Sequence, residues 1–185
     1  EAIKLGDQVA VLRVGGHLAQ LATPAELLNS PADSFVAGFV GRDRGYRALG
    51  FAQAGQLPRV DEPAVALGWE LSRAKGYARD GWVLVVDDQN APQGWLCFDN
   101  VDDAKLTGQV TPELLNLGGT LATESGTLRE ALDAALSSPS GRGVLVDDSG
   151  RLLGSITATE VLSRIQDRQA EAPAGRRVAT ESGAP

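Results

Sequence analysis

The chain repeats part of itself. Leu84-Val85-Val86-Asp87-Asp88, followed by Gly94, returns as Val144-Leu145-Val146-Asp147-Asp148, followed by Gly154, and both the aspartates and the glycines are sixty residues apart. A gap-free repeat of this period constrains the fold more than any single residue does. One unit of this size buries its apolar face poorly, whereas two stacked copies share a core and leave a cleft at their seam.

Composition narrows the class. The 185 residues are 43% hydrophobic and 22% charged, as in ordinary globular domains, and suffice for one large or two small ones. A net charge of −7 and a pI of about 4.7 argue against nucleic acid as a partner, because such a surface needs a basic face to displace counterions. The same charge argues against a general attraction to anionic lipid. No apolar run is long enough to span a bilayer, and the first residues lack a charged-then-apolar signal pattern. The single cysteine, Cys97, rules out an internal disulfide and suits a reducing cytosol. The start Glu1-Ala2-Ile3-Lys4 and the lack of any Met lead us to expect a piece of a longer polypeptide.

Local patterns divide the chain. Residues 8–13 and 17–22 are β-prone runs around Gly15-Gly16, which predicts a hairpin. Thr23-Pro24-Ala25-Glu26 predicts a capping box with proline at the first helical position. Ser30-Pro31-Ala32-Asp33 predicts a second helix start, with Phe35, Val36, Phe39 and Val40 on one face and Gly41 at its end. Residues 41–57 have little periodicity and read as a connector.

Copy one is expected as a helix near 64–76, strands near 82–87 and 94–98, and a short helix from Asp99. Copy two is expected as a helix near 127–137, strands near 143–147 and 152–156, and a helix near 158–166. Residues 106–120 bridge the two. Leu128, Ala131, Leu132, Ala135 and Leu136 form an apolar stripe. The continuous apolar strands predict burial on both faces, and Asp147-Asp148-Ser149-Gly150 predicts a tight turn. The resulting domain boundaries are 1–45, a linker at 46–57, repeats at 58–110 and 111–168, and a disordered tail at 169–185, where the apolar pattern stops.

Enzyme chemistry is poorly represented. His17 is the only histidine and sits beside a Gly-Gly turn, so it reads as a surface residue and supports no His-based metal cluster. Cys97 follows an apolar strand, reads as a small buried hydrophobe, and has no second His to activate it. Asp87-Asp88 and Asp147-Asp148 lie where turns need them. No Gly-x-x-x-x-Gly-Lys-Ser/Thr phosphate loop occurs. Trp69, Trp82 and Trp95 all fall in copy one, where core packing is the default and an aromatic ligand site the alternative. The most suggestive element is Gly154-Ser155-Ile156-Thr157-Ala158-Thr159-Glu160. Thr157 and Glu160 have capping-box spacing; the same geometry lets Thr157 meet a phosphate at the helix start while Glu160 accepts from ribose hydroxyls. Spacing alone serves both.

With Gly-x-Ile-Thr-x-x-Glu closing the second copy, the repeat resembles the cystathionine-β-synthase (CBS) domain pair. The implied fold is α+β: two β-α-β-β-α-type repeats. In that family the motif reads Gly-x-x-Thr/Ser-x-x-Asp, the Asp holding an adenosine ribose and the Thr/Ser a phosphate. Copy two keeps Gly154, Ile156 and Thr157 but has Glu160 for Asp; in copy one Cys97 and Asn100 replace the pair. The resemblance implies a candidate nucleotide site of Gly154, Ile156, Thr157 and Glu160, with Arg129 and Arg142 as candidate phosphate donors. It implies no required cofactor and no metal, with an adenine nucleotide or cyclic di-AMP as the ligand.

Residues 1–12, Gly16-His17-Leu18-Ala19-Gln20, Thr23-Pro24-Ala25-Glu26-Leu27-Leu28, Pro31-Ala32 and Phe35-Val36 resemble the end of an ABC-transporter ATPase domain. Phe39-Val40-Gly41-Arg42-Asp43-Arg44-Gly45 is similar to the junction in ATP-binding subunits of glycine betaine/carnitine/choline/proline importers, which carry a CBS pair after the ATPase. In that family the Walker motifs, signature motif and switch histidine precede such a segment, so these residues are not expected to hydrolyse ATP. The resemblance implies a regulatory, homodimeric module that senses a cytoplasmic signal, an adenine nucleotide such as cyclic di-AMP or ionic strength, and gates transport; it is joined to a permease through the ATPase domain, at the inner face of the cell membrane, touching it only indirectly. A purely structural dimerisation module is the alternative.

Overall fold

The computed structural model describes residues 6–54, 57–99, 106–118 and 120–171. The expected hairpin forms from β1 (Val9–Leu12) and β2 (Leu18–Ala22), antiparallel across the Gly15-Gly16 turn. Helix α1 (Pro24–Asn29) has the full Thr23/Glu26 capping box, whose backbone and hydroxyl bonds hold the exposed Glu26 carboxyl below its ordinary pKa. The next start differs from expectation. Ser30 closes α1, and α2 (Ser34–Val40) begins after Asp33, whose side chain accepts from Val36 N. Only half of its expected face is buried: Val36 and Val40 join the core of this unit, while Phe35 and Phe39 are exposed.

The described part of the connector is structured. Helix α3 (Arg44–Ala48) and a 3-10 turn (Leu49–Phe51) lead into a segment that docks on copy two. Leu49, Ala52, Ala54 and Leu57 pack into that copy's core, and backbone bonds run from Ala54 N to Gly126 O and from Leu128 N to Ala52 O. Small apolar residues at irregular spacing carry no periodic signal, yet they fit a groove that a neighbouring element supplies.

The copies then follow one plan. In copy one, β3 (Ala64–Ala66), α4 (Leu71–Lys75), β4 (Trp82–Val86) and β5 (Pro92–Cys97) make a sheet of order β3-β4-β5. In copy two, β6 (Ala122–Thr123), α5 (Leu128–Ser137), β7 (Arg142–Val146) and β8 (Leu152–Thr157) make a sheet of order β6-β7-β8, followed by α6 (Ala158–Glu171). In each sheet the first pair is parallel and the second antiparallel. Register shifts at the same place in both copies, between Val85 and Val86 and between Leu145 and Val146.

The expected helix near 64–76 is a correction. Its first part is β3, drawn into parallel pairing with β4, and Gly68 (φ +82°) ends it with its N–H on Val110 O. The short strand β6 likewise precedes the expected helix of copy two. Leu136 leaves the apolar stripe and is exposed. Helix α6 runs to Glu171, past the expected boundary at 168; the rest of the expected tail and the short helix after Asp99 lie outside the described residues, as do residues 1–5.

Each copy closes the sheet of the other. Val60, which leads into copy one, exchanges both backbone bonds with Ser155 of β8 (3.0 and 2.9 Å). Asn116, which leads into copy two, does the same with Trp95 of β5 (2.7 and 2.8 Å). Gly154 and Gly94 make room for these approaches. A Cβ on Gly154 would stand 2.6 Å from Val60 O, and one on Gly94 3.1 Å from Asn116 O. Between the sheets, Leu84 and Trp95 of copy one pack on Val144 and Val146 of copy two.

Helix α5 lies against β7 so closely that a Cβ on Gly143 would fall 2.5 Å from Ala135 N and 2.8 Å from its Cα. Both atoms are backbone, so no side chain can yield. Gly143→Ala should cost about 3 kcal/mol and lower Tm by roughly 6–12 °C, read by thermal denaturation. An unchanged Tm would mean that α5 does not sit on β7 in this way.

Candidate functional site

Arg142 heads a strand otherwise apolar, Gly-Val-Leu-Val, and its side chain is only 7% exposed. A guanidinium there needs partners, because burying an unpaired charge costs several kcal/mol. Glu62, with a 1%-exposed side chain, supplies them. Arg142 Nε donates to Oε2 and Oε1 at 3.1 and 3.3 Å, and Nη2 to Oε1 at 3.0 Å. Its remaining donors reach Arg79 O and Trp82 O, both at 3.2 Å. Ser155 Oγ donates to Glu62 Oε2 at 2.6 Å, and Arg79 Nη1 stands 3.7 Å from the same oxygen. The Arg142 guanidinium also lies 4.9 Å from the centre of the Trp95 ring. The cluster thus joins the lead-in to copy one, the start of β4, and β7 and β8 of copy two.

The expected site residues fall into three places. Gly154 and Ile156 are buried in β8, Gly154 against Val60 and Ile156 in the core of copy two. Thr157 and Glu160 form a closed capping box: Thr157 N and Oγ1 donate to Glu160 Oε2 at 2.7 and 2.8 Å, and Glu160 N donates to Thr157 Oγ1 at 3.3 Å. Arg142 is the register partner of Thr157, but its guanidinium is committed to Glu62. Arg129 lies apart, on α5, 4.6 Å from the centre of the Tyr46 ring and 3.7 Å from Asp133. Tyr46 Oη in turn donates to Asp133 Oδ1 at 2.5 Å.

Two clefts flank the seam. One, of about 270 Å³, is lined by Ala54, Leu57, Leu145 and Leu153, with Thr123 and the Arg59–Glu124 ion pair (3.1 Å). The other, of about 160 Å³, runs between Pro92–Trp95, the residues Leu117, Gly118, Thr120 and Leu121, and α5. Trp95 is buried in the seam, as its default reading has it. Asp87 and Asp147 are turn formers, each accepting two backbone N–H bonds, at 2.9 Å and at 2.8 and 2.9 Å. Among the described residues no group of three His, Cys, Asp or Glu side chains is placed to hold a metal ion, and no helix is long and apolar enough to cross a membrane.

Sequence reasoning missed Glu62, Ser155 and Arg79. The one available signal was Arg142 itself, since a charge heading a strand buried on both faces demands a buried counter-charge.

Fold and site together define a paired-repeat α+β module, with a charged cluster in its seam and a short hairpin unit ahead of it. Its relatives include ATP-binding subunits of osmoprotectant ABC transporters. The chain is 29% identical over 182 residues to the choline transport ATP-binding protein OpuBA of Bacillus subtilis, covering 90% of this chain and 45% of that protein. It is 31% identical over 161 residues to the osmoprotectant import ATP-binding protein OsmV of Salmonella typhimurium, covering 85% and 41%. The chain thus spans less than half the length of the curated relatives it matches. No family model matches it.

Its neighbours among solved structures are CBS domain pairs. They include the CBS domain pair/ACT domain protein of Thermotoga maritima (TM-score 0.48, 20% identity, covering 58% of this chain and 91% of that one). Staphylococcus aureus OpuCA also matches (TM-score 0.46, 19% identity, covering 60% of this chain and 95% of that one). The soluble part of a magnesium transporter shares the fold at TM-score 0.51, with 16% identity, covering 79% and 63%.

Glu160 serves as a cap in this structure. Glu160→Ala should lower stability by about 1 kcal/mol, measured by urea denaturation with an unchanged m-value. A loss several times larger would mean that the carboxylate supports more than the start of α6.

Proposed function

We propose that the chain is the regulatory part of the ATP-binding subunit of an osmoprotectant ABC importer, and that it gates transport by taking up an adenine nucleotide such as cyclic di-AMP. The observation that carries the ligand reading is the 270 Å³ cleft of copy two. Its apolar walls suit a planar base, and Thr123, Arg59 and Glu124 at its rim offer hydrogen bonds to the sugar or phosphate. The volume lies just under the ~300–1,000 Å³ of pockets that hold drug-sized ligands, so it fits one nucleoside. A dinucleotide therefore needs a second copy of the chain, in line with a homodimer. The permease is the further partner, reached through the ATPase part of the subunit on the cytoplasmic face of the membrane. Ionic strength is the weaker candidate signal, because the net charge of −7 gives no general attraction to anionic lipid.

The closed Thr157–Glu160 box and the Arg142–Glu62 pair favour a second reading, in which the module holds two subunits together and binds nothing small. Calorimetric titration of the chain with cyclic di-AMP, ATP and AMP separates the two. The sensor reading expects saturable heat with at least one of them, and its loss in Leu153→Trp, which fills the cleft. Absence of heat with all three at millimolar concentration leaves the structural reading.

A further inference from the structure

Residues 44–54 belong to two cores at once. Ala48, at the end of α3, is buried with Leu28, Val36 and Val40 of the hairpin unit, while the next residue, Leu49, packs into the core of copy two. Arg47 Nη1 donates to Val40 O at 3.0 Å, which fastens α3 to the end of α2. On its other side α3 meets α5, where Tyr46 Oη donates to Asp133 and the Arg129 guanidinium stands over the Tyr46 ring. Further along, Arg168 Nη1 of α6 donates to Gln53 O at 2.7 Å, and Ala54 forms part of the wall of the 270 Å³ cleft. That wall is the one able to yield. The opposite wall, Leu145 and Leu153, lies on the paired strands β7 and β8. Ala52 and Ala54 are instead held to copy two by single backbone bonds to Leu128 and Gly126, at 2.8 and 2.9 Å. There is also room beside α3. A cleft of about 610 Å³ opens there, lined by Asp43, Tyr46, Arg47, Arg129 and Asp133 among others. Close-packed contacts resist sliding; a polar clasp beside an open cleft leaves α3 free to change its seat on α5.

We propose that residues 44–54 form a strap that couples the cleft of copy two to the hairpin unit. Whatever fills the cleft presses on Ala54. The strap passes that displacement through Leu49 to α3, and Ala48 carries the hairpin unit with it. At about 270 Å³ the cleft is a little smaller than ordinary ligand pockets, so filling it displaces the wall that yields. Helix shifts of about 1–2 Å at an interface are enough to re-set the bodies they join. The coupling is reciprocal: reseating the hairpin unit changes the cleft by the same free energy. The strap rests on the nucleotide reading for the natural occupant alone; the coupling itself requires no particular ligand.

The test is a distance measurement by pulsed electron paramagnetic resonance on the whole chain. Spin labels are placed by Val14→Cys at the hairpin tip, 98% exposed, and Ser149→Cys in the exposed β7–β8 turn, with Cys97→Ala removing the native thiol. Labelled chain is diluted in unlabelled chain, so that only pairs within one chain are read. The parent should give one narrow distribution. Leu153→Trp fills the cleft from β8, where no residue of the hairpin unit lines it, and should move the mean distance by about 2 Å or more. Leu153→Phe takes its place if circular dichroism shows that the Trp variant does not fold. Tyr46→Ala/Arg168→Ala opens the clasp at two exposed points. In that background the distribution should broaden, and the Leu153 substitution should no longer shift its mean. An unchanged distribution in the folded Leu153 variant overturns the coupling, and so does a shift that survives in the unclasped chain. Calorimetry with nucleotides bears on the occupant, so a null titration leaves this distance result untouched.

Discussion

The Glu62–Arg142 pair fixes how the two repeats face each other. The apolar contact between them, Leu84 and Trp95 on Val144 and Val146, supplies attraction but little direction, because burial of apolar surface is non-directional. The ion pair supplies direction. A guanidinium fork at 3.0–3.3 Å from a carboxylate tolerates only a narrow range of angles, and both groups are too buried for water to take over. Arg142 also donates to two carbonyls of copy one, so a slip of one sheet against the other leaves several donors unsatisfied at once.

The copies share a backbone plan and differ in what fills the seam. Trp82 and Trp95 of copy one stand where copy two has Arg142 and Ser155, each sixty residues on. The aromatic side and the charged side meet, with the guanidinium over the Trp95 ring. The unequal residues are thus complementary, and copy one is not merely a decayed version of copy two. The exchange of edges, Val60 on β8 and Asn116 on β5, then makes neither copy's sheet complete without the segment that leads into the other.

Much of this was legible in the sequence. The apolar runs at 83–86 and 144–146 are the central strands, Gly15-Gly16 is the hairpin turn, and Thr23 and Glu26 form their box. What was not legible depends on partners distant in the chain. Ala64-Val65-Ala66 looks helical in isolation and becomes a strand only because β4 offers a free edge. Phe35 and Phe39 satisfy helical periodicity yet lie outside, since periodicity marks a face without saying what covers it. Thr157 and Glu160 were correctly placed at a helix start, where capping and ligand binding use the same residues. Glu62 sits among charged neighbours in a coil, with nothing local to mark it as buried. Its burial is dictated by Arg142, eighty residues later.

The central claim is that these two side chains act as one unit. A double-mutant cycle with Glu62→Leu, Arg142→Met and the combined variant, followed by urea denaturation, tests it most directly. Each single change leaves a buried charge uncompensated and should cost about 3–5 kcal/mol, while the pair of changes should cost far less, giving a coupling of about 2 kcal/mol or more. Additive losses, with a coupling below about 0.5 kcal/mol, would contradict the account.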